Sequence, residues 1–319
     1  MSPVVRLVLQ RVGIGALLLL GISALLFIGV EALPGDFAQN FLGQSASPQA
    51  VENMRIKLGL DEPVVFRYFE WLGGVLTGEF GTSWANGSSV NEQLFKRLSN
   101  TLFLATVAAV IAVPLAIGLG MVAVFFRDKI PDRLINIVSL AAISMPEFFV
   151  GYLFIFFFAI QFGIGDGPPI IPDTRSSIWE NIQLVALPAA TLVVVVLAHM
   201  MRMTRAAIIN IMESAYIETA DLKGLAPMRV IYKHAAPNAV APIINVVALN
   251  LAYLVVGVVV VEVIFAYPGM GQYFVDAVSI RDIPVVQACG LVFAGVYILL
   301  NILADVGAIL ANPRLRHPK

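Results

Sequence analysis

The sequence is poor in charge and almost free of cysteine. Asp, Glu, Lys and Arg make up 13% of its 319 residues, about half the share found in an ordinary soluble domain. The lone cysteine, Cys289, lies in an apolar run, so no disulfide framework can form within the chain. We expect Cys289 to be a small buried apolar side chain.

Motifs for nucleotide chemistry and catalysis are also missing. The chain has no G-x-x-x-x-G-K-[ST] phosphate loop. No nucleophile, base and orienting group stand out together, and His and Cys do not cluster. We therefore expect no catalytic residue, no metal site and no cofactor in this chain.

Long apolar runs dominate the sequence. Hydrophobic residues make up 59% of the chain and the mean hydropathy is +0.87, which predicts an all-α integral membrane protein. A membrane-spanning helix needs about 20 mostly apolar residues. Six segments meet this rule: 9–30, 100–126, 135–162, 188–211, 242–265 and 285–310.

The basic residues predict the orientation of these spans. Thirteen of the twenty Lys and Arg residues lie in the N-terminal tail, the 127–134 loop, the central segment with its flanks, and the C-terminal tail. The positive-inside rule places these parts, and both termini, in the cytoplasm. Arg6 and Arg11 precede a first span that we interpret as a retained helix, not a cleaved signal peptide.

The loop between the first two spans is too long to be a turn. It contains a possible short helix at 48–58 and an aromatic amphipathic stretch at 66–76. Tyr68, Phe69 and Trp71 are residue types enriched at membrane interfaces. We expect either a lid or docking surface on the outer face, or a cap that packs the outer ends of the spans.

A polar interruption at 212–241 separates two apolar runs. The pattern predicts an uninterrupted helix at 208–223, closed by Gly224, and a second short helix that begins at Pro227. Ala220, Gly224 and Ala226 are small enough to let another protein approach the backbone closely. The expected product is a helix, a sharp turn and a second helix on the cytoplasmic face.

Four ionisable residues lie within the spans. A charge at membrane depth is costly unless it faces protein or water, so each is a candidate for the lining of a transport path or for a helix-to-helix hydrogen bond. The candidates are Glu147, His199, Glu262 and Asp305.

The polar interruption resembles a known signature. Residues 216–225 read YIETADLKGL and residues 234–242 read HAAPNAVAP, which is similar to the EAA loop of the membrane permeases of binding-protein-dependent ABC importers, in the dipeptide and oligopeptide branch. Asp221, Leu222, Ala236 and Pro237 depart from the usual Arg, Ala, Leu and Arg. Further matches to the branch extend over nearly the whole chain: 33–36, 58–61, 78–83, 144–146, 262–265, 268–271, 282–284, Asn301, Asp305 and 312–316.

The resemblance implies a type I ABC importer permease fold in the bacterial inner membrane, with a cytoplasmic coupling helix and a sizeable external loop. In that family the loop docks into a groove on the ATPase. The residues it would assign to coupling are Tyr216, Glu218, Thr219, Ala220, Lys223, Gly224 and His234.

The resemblance also implies partners. They are a second, homologous permease, two ABC ATPase subunits that bind ATP and Mg, and an extracytoplasmic solute-binding protein; the lipid bilayer surrounds the chain, and no nucleic acid is involved. Peptide is the expected solute, with glutathione, nickel complexes and oligosaccharides as alternatives.

The chain divides into three expected parts. Residues 1–99 form the first span and the external loop, 100–310 form a five-helix core with the EAA loop at 212–242, and 311–319 form a cytoplasmic tail. A secondary transporter and a membrane-embedded enzyme are competing classes, but no internal repeat or facing His and Glu cluster favours either.

Overall fold

The structure is a computed structural model that describes residues 3–32, 37–42, 46–163 and 177–311. Within these ranges the chain is helical, with one isolated antiparallel bridge between Thr82 and Ser89. The predicted signatures at 33–36 and 312–316, and the tail beyond 311, lie outside the described residues.

The helices succeed one another along the chain with short connections. In chain order they are α1 (Pro3–Glu31), α2 (Phe37–Leu42), α3 (Pro48–Lys57), α4 (Val64–Thr77), α5 (Val90–Phe125), α6 (Ile130–Ser144), α7 (Glu147–Phe154, continued by a π-helix at Ile155–Gln161), α8 (Ile178–Leu184), α9 (Ala186–Met212), α10 (Ala215–Leu222), α11 (Pro227–Val230, continued by a π-helix at Ile231–Ala235), α12 (Ala236–Ile264), α13 (Met270–Ile280) and α14 (Ile283–Ala311).

Five of the described helical segments are long and apolar enough to cross a membrane, and a bent pair raises the number to six. The all-α fold with about six spans is therefore confirmed. The bent pair is α6 and α7, which were predicted as one span and instead meet at 100°. The bend follows from Pro146, because the residue before a proline avoids helical geometry and Met145 is extended at φ −88°, ψ 130°.

Two other span boundaries differ from the prediction. α5 begins at Val90 instead of residue 100, so the second span extends beyond its apolar run. The fifth span forms one helical path from Pro227 to Ile264, through the π-helix that ends two residues before Pro237. A proline clashes with the carbonyl four residues earlier, and the wider π turn relieves this clash.

The centre of the molecule is the contact between α5 and α9. Ala108, Ala112 and Ala116 on α5 are buried against an apolar face of α9 that includes Leu192 and Val196. At Gly120 a Cβ atom would lie 2.9 Å from Cγ2 of Thr204, so the two backbones approach closely. Small residues at such contacts allow the tight packing on which helix association in lipid depends.

The predicted helices of the external loop are present as α3 and α4. Gly59 has a φ of +67° and Gly78 has a φ of +83°, and each follows one of these helices in the left-handed region that suits glycine. The segment after α4 is held by Asp282, whose carboxylate accepts hydrogen bonds from the Ser83 hydroxyl and from the N–H groups of Trp84 and Ala85. Asp282 thus fixes the external segment to the start of α14.

Candidate functional site

The polar interruption forms a compact projection between α9 and α12. α9 ends at Met212, and α10 begins only after Ser214. The prediction of one uninterrupted helix at 208–223 is therefore wrong. Ser214 is extended at φ −82°, ψ 146°, and its hydroxyl donates to the carbonyl of Ile211 at 2.6 Å. Such local side-chain bonds compete with helix continuation.

The turn at Gly224 has the predicted geometry. Gly224 has a φ of +72°, and its N–H donates to the carbonyl of Asp221 at 2.9 Å. Leu225 N–H reaches back to the carbonyl of Ala220 at 3.4 Å, as in a helix stop with a left-handed residue. Pro227 then opens α11 at its first turn, where its missing N–H costs nothing.

The inner side of this projection is a hydrophobic cluster. Ile217, Val230, Ile231 and other residues pack against Val124 of α5 and Ile208 of α9, and all are buried. Ala220 belongs to the same cluster and is 6% exposed. The side chain of Ala220 therefore packs inside the projection and does not form part of the surface that a partner could touch.

The outer side of the projection combines apolar tips with charges. Leu222 is 83% exposed, more than any other large apolar side chain of the projection. Tyr216, Met228 and Tyr232 are also exposed. The charged and polar residues of this surface are Glu218, Thr219, Asp221, Lys223, Arg229 and Lys233, with His234 half-buried at its edge.

Two ion pairs anchor the base of the projection. Arg205 of α9 donates to both carboxylate oxygens of Asp132 on α6, with Nε–Oδ1 at 2.8 Å and Nη2–Oδ2 at 2.7 Å. Asp132 is buried, and it also accepts from the side chain of Asn136. Arg127 lies 3.8 Å from Glu213, at the break between α9 and α10. No sequence pattern indicates the first pair, because its members are 73 residues apart in the chain.

Glu147, one of the four intramembrane candidates, lies at the bend between α6 and α7. It occupies the first turn of α7, directly after the bend, and is half-buried. Tyr253 of α12 donates its hydroxyl to Glu147 Oε1 at 3.3 Å and is itself exposed. Gly257 lies under the Tyr253 ring, where a Cβ atom would be 3.1 Å from Cε1. Tyr253 was not predicted as a site residue, because a lone tyrosine in an apolar run has no distinguishing pattern.

Glu262 has a different environment. Its side chain is 0% exposed and accepts hydrogen bonds from Thr101 Oγ1 at 2.6 Å, Gly271 N at 2.7 Å and Gln272 N at 3.1 Å. The carboxylate thus accepts hydrogen bonds from backbone N–H groups in the first turn of α13 and from a side chain of α5, and in this way it joins the two helices. Burial raises the pKa of nearby Tyr267, which keeps its hydroxyl protonated and able to donate to the carbonyl of Asn100 at 2.9 Å.

Asp305 and His199 also differ from each other. Asp305 of α14 forms a salt bridge with Arg11 of α1 at 3.0 Å, which supplies the helix-to-helix partner that the sequence left open. His199 of α9 is exposed among buried neighbours.

In the described part of the chain, no three His, Cys, Asp or Glu residues are grouped as a metal site would require.

Comparison with known proteins accounts for nearly the whole length of the chain. Residues 112–317 match the family model described as "Binding-protein-dependent transport system inner membrane component", and residues 4–105 match the model of its N-terminal region. A probable peptide ABC transporter permease protein of Sinorhizobium fredii is 34% identical over 288 residues, covering 89% of this chain and 90% of the relative. A glutathione transport system permease protein of Escherichia coli is 34% identical over 285 residues, with the same coverage.

A solved structure shares the fold. A chain from an inward-facing structure of the MetNI methionine ABC transporter superposes with a TM-score of 0.50 at 17% identity, covering 69% of this chain and 95% of that chain. At this identity the likeness bears on the fold alone, and it agrees with the expected importer permease architecture.

Proposed function

Because this chain belongs to the family of binding-protein-dependent transport system inner membrane components, we propose that it forms one half of the translocation pathway of an ATP-driven peptide importer. The family membership makes the chain a non-catalytic, multi-spanning permease subunit of the inner membrane. Such a system also includes ATP-hydrolysing subunits and a solute-binding protein. The other half of the pathway, in this proposal, is a second homologous permease.

The observation that supports the proposed coupling role is the surface of the projection at 213–235. Leu222 is 83% exposed beside the left-handed turn, and Tyr216, Met228 and Tyr232 are exposed on the same projection. A group of exposed large apolar side chains among polar residues is typical of a protein–protein contact. We assign this surface to the groove of an ATPase subunit. The contact residues are Tyr216, Glu218, Thr219, Leu222, Lys223 and Gly224, with His234 at the edge.

The projection is connected to the spans both by side-chain packing and by the chain itself, so a movement of the projection would move the spans. The projection rests on buried side chains of α5 and α9, and α11 continues through the π-helix into α12. The Asp132–Arg205 pair links the same end of α9 to α6, and α6 leads to the bend before Glu147. In our proposal, closure of two ATPase subunits moves these helices together and opens or closes the pathway at the bend.

Glu147, Tyr253 and His199 are the polar residues that we place on the pathway, because each has an accessible side chain in a span. Glu262 and Asp305 are not included. The carboxylate of Glu262 is wholly enclosed by hydrogen-bond donors, and that of Asp305 is paired with Arg11.

Peptide is the proposed solute because one similar permease is named for peptide and another for glutathione, which is itself a short peptide. The chain should be purified with its co-encoded partners, reconstituted into vesicles, and tested for uptake of a labelled dipeptide, a labelled tripeptide and glutathione. We expect peptide uptake that requires ATP and the binding protein. Uptake of none of these by a complex with binding-protein-stimulated ATPase activity would refute the peptide assignment.

The coupling assignment has its own test at Gly224. Gly224→Arg adds bulk at the proposed groove and also strains a φ of +72°. Gly224→Asn is the matched control, because asparagine tolerates the left-handed region. We expect the Arg variant to assemble in the membrane but to lose uptake, while the Asn variant retains it. Normal uptake by Gly224→Arg would remove the coupling role from this turn.

A further inference from the structure

α4 has two apolar faces, and only one of them packs against other residues in the part of the chain that the structure describes. Tyr68 and Trp71 face α1, where their rings lie 5.4 Å and 6.0 Å from the ring of Phe27. Arg67 pairs with Glu31 at 2.5 Å, which fixes the angle of α4 across the end of α1. Since α4 has a single short polar sector around Arg67 and Glu70, most of its remaining circumference is apolar.

The second apolar face of α4 is exposed. Its members share one side of the helix at intervals of three, four and seven residues. Val65 is 65% exposed, Phe66 72%, Phe69 64% and Leu76 80%. Exposure of an apolar stripe of this size to water would be unfavourable because of the hydrophobic effect.

The contact with α1 gives the depth of α4. The Tyr68 hydroxyl lies 3.0 Å from the hydroxyl of Ser23. Ser23 is eight positions before Glu31, and the seven residues between them are all apolar or Gly. At 1.5 Å per residue the Tyr68 hydroxyl therefore lies about 12 Å below the charged end of the span. α4 thus lies beside the apolar part of α1, where Leu25 and Ile28 are 71% and 60% exposed in a candidate span.

A cavity of about 460 Å³ opens between α1, α4 and α14, and its α1 wall extends from Ser23 inward to Ala16. Leu20, Leu72, Leu291 and Val296 are among the apolar residues of its wall. Ser23 is the polar side chain of the wall, and its hydroxyl is already bound to the carbonyl of Leu20 and to Tyr68. Water needs two to four polar partners in such a space, so the cavity favours hydrocarbon.

We propose that α4 is embedded in the membrane leaflet beside the carboxyl-terminal half of α1, and that a phospholipid acyl chain occupies the cavity between α1, α4 and α14. The cavity is continuous with the lipid-facing surface of a span, which supplies the ligand, and the exposed stripe of α4 extends that surface. In the orientation expected from the basic residues, this is the outer leaflet.

The test uses the complete importer in vesicles of phosphatidylethanolamine and phosphatidylglycerol, with a trace of phosphatidylcholine that carries a diazirine in its acyl chain. After illumination, mass spectrometry should locate lipid adducts on Phe66 or Phe69 of the stripe and on wall residues such as Leu291. Gly295→Leu places a side chain in the cavity, where a Cβ atom has only Leu19 Cδ2 as a neighbour, at 4.0 Å. We expect this variant to lose the adducts on the wall and keep those on the α4 stripe.

Gly21→Leu is the matched control. Gly21 lies on α1, has open space around its Cβ position and does not line the cavity, so its variant should keep both sets of adducts. Absence of wall adducts in the parent protein, or their full retention in Gly295→Leu, would overturn the acyl-chain site.

A second measurement distinguishes whether lipid, water or another protein covers the exposed stripe of α4. In a Cys289→Ala background, a membrane-impermeant maleimide should label Glu70→Cys and leave Phe69→Cys unlabelled. Equal labelling would mean that the helix lies in water. Protection of Phe69→Cys without any lipid adduct on α4 would mean that another subunit covers the stripe, and it would equally refute the proposal.

Discussion

Arg205 and Asp132 form a two-pronged ion pair that ties the carboxyl-terminal part of α9 to the first turn of α6. Asp132 is 3% exposed, so its charge depends on this partner. Breaking a buried pair by removing one member leaves an uncompensated charge and typically costs about 3–5 kcal/mol. The pair is therefore a structural joint, in the sense that it connects the end of α9 next to the projection with the first half of the bent span.

Asp132→Ala should destabilise the permease by about 3 kcal/mol, measured as a lowered unfolding temperature of the detergent-solubilised subunit. Arg205→Lys should show an intermediate loss, because lysine cannot make both bonds of the fork. Arg127→Ala removes the exposed pair with Glu213 and is the control, with an expected effect below about 1 kcal/mol. Equal effects of the buried and exposed variants would mean that the buried pair is not a structural joint.

Gly269→Ala should dislodge α13. A Cβ atom at residue 269 would overlap the Glu262 carboxylate, and neither the enclosed acid nor the backbone can relieve this overlap by a small shift. We expect faster amide hydrogen exchange across 266–282 in this variant. Glu262→Gln should show a smaller increase, since an amide oxygen in the place of Oε2 still accepts two of the three bonds, from the N–H groups of Gly271 and Gln272. Unchanged exchange in both variants would show that the Glu262 contacts do not hold α13.

The hydrogen bond between Tyr253 and Glu147 can be tested in a double-mutant cycle. Glu147→Gln and Tyr253→Phe should each reduce peptide uptake several-fold, because a hydrogen bond to a charged group contributes about 1.5–3 kcal/mol and this one is partly open to solvent. The double variant should be no worse than the poorer single one. Additive losses would mean that the two side chains act separately, and parental kinetics in both would leave Glu147 a structural residue.

Features that depend on local sequence were predicted well. Gly224 and Pro227 stand where a helix stop and a helix start require them, and α3 and α4 formed where the loop pattern placed them. Such features follow from the conformational limits of glycine and proline and from helical periodicity.

Features that depend on neighbours in space could not be predicted. The sequence identified Glu262 and Asp305 as intramembrane acids, but only the fold supplies Thr101 and Arg11 as their partners. The pairing of Asp132 with Arg205 could not be predicted from the sequence for the same reason. The break at Ser214 was missed because its hydroxyl competes with a helical pattern that otherwise continues on both sides.

Leu222 provides the most direct test of how the projection meets an ATPase. This leucine departs from the alanine of the EAA pattern that residues 216–225 resemble, and it is 83% exposed in the subunit alone. Full burial of a leucine side chain contributes about 1.5–3 kcal/mol, so Leu222→Ala should weaken binding of the ATPase subunits by about tenfold. Leu222→Met keeps an apolar side chain of similar volume and is the matched control. Binding measured in detergent with purified subunits separates this effect from transport. If the Ala variant binds as tightly as the parent, Leu222 lies outside the contact, and the docking surface must be reassigned to the charged residues around Lys223 and Arg229, whose contribution should then fall steeply with added salt.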